Sequence, residues 1–289
     1  MAPITFPGLG FQVEVGRNVI SIGNFSIAWY GLMITLGMVL AIWYCSKRAP
    51  QYGIKEGSIV DMMFVVLPIA ILGARLYYVF FAWSHVMSGR NFGQQIIALF
   101  AVWEGGLAIY GGIIAGAAAA FMFCRHRKIE WREMFDIGAL GLLIGQGVGR
   151  WGNFFNREVY GVETTLPWRM GIQVGGDVLE VHPLFLYESL WCLAGLILLH
   201  KLSKNRAYKG QTFLQYMAWY GAGRTFFELI RFETQVLTMG GMRVSMWLSL
   251  LIAVGGIAGL VYMHKRNKAN VCEDTEENDA STDEIGGYD

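Results

Sequence analysis

Charge is scarce in this chain. Asp, Glu, Lys and Arg make up 16% of its 289 residues, against about 25% in soluble domains. So few charges cannot cover a water-facing surface of this size, and a soluble globular fold is excluded. Cysteine is scarcer still. Cys45, Cys124, Cys192 and Cys272 form no CxxC pair and no metal-ligand spacing, which argues against a disulfide framework. No metal and no organic cofactor is expected, nor a nucleic-acid partner. Residues 1–23 carry a single base, Arg17, and no basic region ahead of an apolar run, so a signal peptide is not expected. HExxH, P-loop and GxSxG patterns are missing. Nowhere do apolar and polar residues alternate over ten positions, so spanning strands are not expected either.

What is abundant is apolar and small. Hydrophobic residues reach 54%, glycine numbers 37 and mean hydropathy is +0.40. A helix needs about 20 mostly apolar residues to cross a bilayer. Seven runs qualify: 25–46, 59–83, 107–124, 134–154, 183–202, 211–232 and 243–263. The expectation is an all-α polytopic membrane protein with seven transmembrane helices. Segment 92–103 is too short to cross and is read as interfacial or re-entrant.

The bases orient the bundle. Fourteen of the 23 Lys and Arg lie in 47–58, 125–133, 201–210 and just after 263, and five lie on the opposite side. By the positive-inside rule the N-terminus is outside and the C-terminus cytoplasmic. The resulting division is an extracytoplasmic segment 1–24, a transmembrane domain 25–265 and a cytoplasmic tail 266–289. Eight acids crowd the last 17 residues, and the tail is read as disordered.

Four bases remain, all arginine and all inside spans: Arg75, Arg150, Arg224 and Arg231. An arginine at mid-bilayer costs at least about 2.5 kcal/mol, so a polar cavity or a partner must hold it. Arginine also grips phosphate in two-pronged fashion better than lysine does. At about 1.5 Å per residue, Arg75 and Arg150 lie about 24 Å from the cytoplasmic start of their spans and Arg224 about 20 Å. Gln146, Arg150, Asn153 and Arg157 form one polar stripe on span four, and Tyr216, Tyr220, Arg224, Glu228 and Arg231 form another on span six. Tyr30, Tyr110, His182 and Tyr187 enter near the same depth. Together they describe an outward-facing chamber lined by arginines.

Each feature also has a plainer reading. Arg224 and Glu228 can neutralise each other at i,i+4. Arg75 either snorkels to the headgroups or contacts substrate. Tyr30 can be an interfacial aromatic, Asn153 and Asn156 can bond neighbouring helices, and His182-Pro183 can be a helix start. Arg150 is hardest to explain away, because span four offers no nearby acid before Glu158. The run Gly147-Val148-Gly149-Arg150-Trp151-Gly152 satisfies GxGxxG, but within a membrane helix and without a preceding strand it is no dinucleotide site.

The segment Gly149–Gly161, of the form GRxGNFxNxExxG, resembles the signature of the prolipoprotein diacylglyceryl transferase family. Further resemblances are Trp29-Tyr30-Gly31-Leu32-Met33, Gly73-Ala74-Arg75, Glu104-Gly105-Gly106, His182-Pro183 with Tyr187-Glu188, and Tyr220-Gly221-Ala222 with Arg224, Glu228 and Arg231. They cover about residues 20–265. The resemblance implies a seven-helix enzyme of the bacterial cytoplasmic membrane, its site facing the outer leaflet. Such an enzyme moves the diacylglyceryl group of phosphatidylglycerol to the lipobox cysteine of a preprolipoprotein signal peptide. Thioether-linked prolipoprotein and glycerol phosphate are the products.

Carried onto this chain, the resemblance gives Arg150 and Arg224 the phosphodiester. Asn153, Asn156, Glu158, Gly161, His182, Tyr220, Glu228, Arg231 and Arg75 line the lipid site, and Tyr30 or Tyr110 assists proton removal. One position departs from the family: many members have histidine before the double glycine of span three, where this chain has Tyr110. An ordinary tyrosine, with a pKa of about 10, is a poor base at neutral pH. The rival reading is an anion or phospholipid transporter with an arginine-lined cavity, although no internal repeat supports it.

Overall fold

A computed structural model describes residues 3–23, 25–232, 238–239 and 242–285. The protein is mostly helical: α1 Trp29–Arg48, α2 Ser58–Phe81, α3 Trp83–Met87, α4 Phe92–Phe100, α5 Ile109–Arg127, α6 Trp131–Asn156, α7 Leu184–Leu202, α8 Gln211–Ile230 and α9 Val244–Ile285. The seven long helices fall on the seven apolar runs. Among the described residues, five are long and apolar enough to cross a membrane: those containing α1, α2, α5, α7 and α9. The other two, α6 and α8, have the length but carry the polar stripes of Arg150 and Arg224.

The purely α-helical expectation needs correction. Among the described residues eight short strands are present, β1 Ile4–Phe6, β2 Phe11–Val13, β3 Asn18–Ile22, β4 Phe25–Ala28, β5 Met170–Val174, β6 Asp177–Val181, β7 Thr238–Met239 and β8 Met242–Arg243. At two to five residues none could cross a bilayer, and none is long enough to show in a ten-residue alternation. Helix α9 runs on to Ile285. No proline or glycine interrupts 266–285, so nothing in the backbone stops the helix before Gly286.

The chain forms two compact units, Met1–Trp43 with Asp136–Asp289, and Tyr44–Phe135. In the first, β2-β1-β5-β6 make one antiparallel sheet, with Thr5 opposite Gly171 and Met170 opposite Val181. Its apolar face, Ile4, Phe6, Met170, Ile172 and Val181, packs on Phe154 of α6 and Phe185 of α7. That contact ties the N-terminal strands to the helix ends where the signature lies. At the opposite end of α6, buried Asp136 accepts from the backbone N–H groups of Gly210 and Phe213 at 2.8 Å each and pairs with Arg206 at 3.1 Å. It thus caps the first turn of α8 from a neighbouring helix.

In the second unit α2 packs on α5 through small residues. A Cβ at Gly73 would lie 2.9 Å from the Gly111 carbonyl oxygen, so the two backbones meet almost directly. Helix α4, opened by a capping box of Asn91 and Gln94, buries Ala98 against Val79 of α2.

Candidate active site

Helix α6 carries the centre of the site. Its glycines bring α1 close: a Cβ at Gly152 would lie 2.8 Å from the Tyr30 ring, and one at Gly149 would lie 3.3 Å from Ile34. Its polar face turns toward α7 and α8. Gln146 donates to the Tyr216 hydroxyl at 2.8 Å, and Tyr220 stacks on Tyr216 at 5.7 Å.

The Arg150 guanidinium pairs through Nε with Glu188 of α7. Its Nη1 and Nη2 make no hydrogen bond to the described residues. Glu188 is 4% exposed and also faces Arg224 of α8, Nη1 to Oε1 at 3.6 Å. Arg224 Nη2 then pairs at 3.0 Å with Glu228, one turn on. That second carboxylate is buried as well. It lies 3.8 Å from Arg231 and 3.5 Å from Arg243 and accepts from the Ser245 hydroxyl at 2.8 Å. Four guanidiniums, from α6, α8, the residue that caps α8 and β8, therefore converge on two buried carboxylates. The cluster is a formal +2 in surroundings that screen charge poorly.

The signature's second half makes the rim. Asn153 and Asn156 both donate to Glu158 Oε1, at 3.0 and 3.3 Å. The turn that allows this places Arg157 and Val159 at φ +57° and +56°. For a β-branched residue such as valine that is a strained conformation. Arg157 anchors the turn by donating to the Val15 carbonyl at 2.8 Å. Gly161 then bridges to Arg231 and donates to the His182 carbonyl at 3.0 Å. A Cβ here would come 2.6 Å from His182 Cβ, so only glycine lets the rim close against His182 and the end of α8. Burial holds the His182 imidazole below its ordinary pKa of 6.5. Its Nδ1 lies 3.3 Å from the Tyr187 hydroxyl, which accepts from Trp168 at 2.6 Å.

The first unit thus gathers Arg150, Asn153, Asn156, Glu158, Gly161, His182, Arg224, Glu228 and Arg231, with Tyr30 against Gly152 and Tyr220 behind Tyr216. Tyr110 and Arg75 belong to the second unit. Tyr110 opens α5 and is exposed. Arg75 has its hydrogen bonds within the protein. It is 2% exposed, with Nε and Nη2 on the Ala98 carbonyl at 3.1 and 2.7 Å and Nη1 on the Gly105 carbonyl at 2.6 Å. Glu104 pairs with it at 3.3 Å and with Arg90 at 3.0 Å. Its donors are spent on clasping the segment between α4 and α5.

Several partners escaped the sequence. Glu188 was visible on span five, but nothing local ties it to Arg150, 38 positions away. Arg243 read as a loop base, and Ser245 gave no signal.

The family model described as prolipoprotein diacylglyceryl transferase matches residues 17–262. A phosphatidylglycerol–prolipoprotein diacylglyceryl transferase of Clostridioides difficile (strain 630) is 38% identical over 258 residues, 89% of this chain and 99% of that protein. Proteins of the same name from Bacillus cereus (strain Q1) and Bacillus thuringiensis subsp. konkukian (strain 97-27) are 35% and 36% identical, each over 91% of this chain and 97% of their own length. With the match running through the signature and every helix that builds the arginine cluster, the chain belongs to the prolipoprotein diacylglyceryl transferase family.

Proposed function

We propose that the protein transfers the diacylglyceryl group of phosphatidylglycerol to the lipobox cysteine thiol of a preprolipoprotein, forming a thioether and releasing glycerol phosphate. The observation that carries this reading is Arg150. Its Nε is fixed on Glu188 while both terminal nitrogens make no hydrogen bond to the described residues. That is the fork geometry that receives two phosphate oxygens.

The thiol loses its proton, since the thiolate is the nucleophile. It attacks the diacylglyceryl carbon that bears the phosphate ester, a C–S bond forms and the C–O bond breaks, and the electron pair leaves on the phosphate oxygen. The phosphate charge grows from −1 toward −2 as this happens. The +2 cluster is matched to that final charge, so it binds the transition state and leaving group more tightly than the diester, the condition for catalysis. Arg150 and Arg224 grip the phosphate. Glu188 and Glu228 hold them in place, with Arg231 contributing charge. Asn153, Asn156 and Glu158 orient the glycerol head at the rim, where Gly161 admits His182. Tyr220 backs Tyr216. Tyr30, against Gly152, assists proton removal, and Tyr110 is the second candidate for that task.

The membrane placement belongs to the same proposal. Helices α6 and α8 complete a seven-span bundle in the bacterial cytoplasmic membrane, with the N-terminus outside, the C-terminus cytoplasmic and the cluster open to the outer leaflet. Two helices too polar to face lipid on all sides are tolerated because their charged faces meet each other and α7.

The test is mass analysis of a lipobox peptide incubated with purified protein and phosphatidylglycerol vesicles. A diacylglyceryl mass gain is expected. Lipid flux with no covalent change to the peptide would instead establish a transporter.

A further inference from the structure

We propose that Trp191 and Trp219 are positioning residues, a reciprocal clasp that sets the register of α7 against α8 and thereby the spacing of the two phosphate-gripping arginines. This rests on the transferase reading above. The Trp191 indole N–H donates to the Trp219 carbonyl, and the Trp219 indole N–H donates to the Trp191 carbonyl, each at 3.2 Å. The two rings stack at 4.2 Å and 18°. Glycines make the room: a Cβ at Gly223 would lie 2.6 Å from Trp191 Cδ1, and one at Gly195 would lie 2.7 Å from Trp219 Cδ1. Trp191 therefore sits over Gly223 and Trp219 over Gly195, which makes the helices antiparallel with one defined register.

An interfacial tryptophan would turn its N–H to headgroups or water. These two spend theirs on carbonyls that already serve the helical ladder, each on the other's helix. A slip of one residue, about 1.5 Å, takes both bonds out of range together and moves each indole off its glycine. Glu188 lies one turn before Trp191, and Arg224 lies five residues after Trp219. Their Oε1 to Nη1 separation is 3.6 Å, so the same slip would part them. Glu188 also holds Arg150, and the clasp thus determines how far apart Arg150 and Arg224 stand.

The test uses the full chain in phosphatidylglycerol vesicles with a lipobox peptide. Trp219→Phe and Trp191→Phe keep an aromatic ring and remove one bond each, and Gly223→Ala keeps both bonds' donors but displaces the Trp191 ring. Expected is a fall in kcat/KM of fivefold or more per folded enzyme, carried mainly by a raised KM for the lipid. A double-mutant cycle between Glu188→Gln and Arg224→Lys, run in the parent and in the Trp219→Phe background, reads the register itself. Strong non-additivity is expected in the first and near-additivity in the second. Unchanged kinetics per folded molecule with the coupling intact, or a loss of folded yield alone, would overturn the positioning role. Normal transfer by Arg150→Ala would sink the transferase reading instead, whatever the tryptophans do.

Discussion

Arg75 and Arg150 are both arginines within long helices, and they solve the same problem in opposite ways. Arg75, in the second compact unit, is enclosed, and its nitrogens are met by two backbone carbonyls and Glu104. Arg150, in the first, is tied by one nitrogen only. Its neighbourhood holds four guanidiniums to two carboxylates. Burial of an arginine therefore says little about function by itself. What separates a structural arginine from a binding one is whether the protein saturates it.

That contrast breaks if Arg150→Ala works. Loss of the central phosphate donor is expected to lower transfer by about 10²–10³-fold, the size seen when an oxyanion donor is removed, with little change in thermal stability. Arg150→Lys should recover only part, because an ammonium cannot bond Glu188 and two phosphate oxygens at once. The mirror experiment is Arg75→Ala, which orphans the carbonyls of Ala98 and Gly105 while Glu104 keeps Arg90. It should destabilise the fold by about 1–3 kcal/mol for each buried acceptor left unsatisfied. Chemical denaturation would measure the loss, and the surviving folded enzyme should keep its kcat within about twofold.

Smaller effects sharpen the comparison. Glu228→Gln leaves three arginines unneutralised and loosens Arg224. A fall in kcat/KM of roughly tenfold is expected, about the worth of one charge-assisted hydrogen bond. Asp136→Asn removes the charge that caps α8 far from the cluster. It should cost about 1–3 kcal/mol of stability, read by thermal melting, with kcat unchanged. The smallest effect is that of His182. Its folded pKa lies below 6.5, so between that value and 6.5 the unfolded chain binds more protons. Its contribution to stability is complete above pH 6.5 and declines as pH falls toward the folded pKa. His182→Gln should flatten that acidic limb, which a pH series of melting curves would resolve.

Much of this was legible in the residues. The seven apolar runs fall on the seven long helices because crossing a membrane demands a length and a composition that any chain must display locally. The Arg150–Asn153 and Arg224–Glu228 stripes were legible for a similar reason, since i,i+3 and i,i+4 spacings fix a shared face. Tyr110 likewise stands out in the sequence as the departure from the family's histidine. The short strands were not visible, because two to five residues carry no period and β1 finds its partner β5 more than 160 positions away. Nor was the extent of α9, where acidic composition suggested disorder but no residue before Gly286 breaks a helix.

The linear chain alone determined that this protein has several membrane-spanning helices, that the bases within its long apolar runs are arginines, and that one segment bears a family signature. All of these depend on residue type and near-neighbour spacing. Only the tertiary structure decided which arginine is satisfied and which is available. That outcome turns on acids and carbonyls delivered by other helices: Glu188 from α7, Ser245 from α9, and the backbone of Ala98 and Gly105. A guanidinium's fate depends on what lies within about 3 Å of its nitrogens, and at that range distance along the chain carries no information.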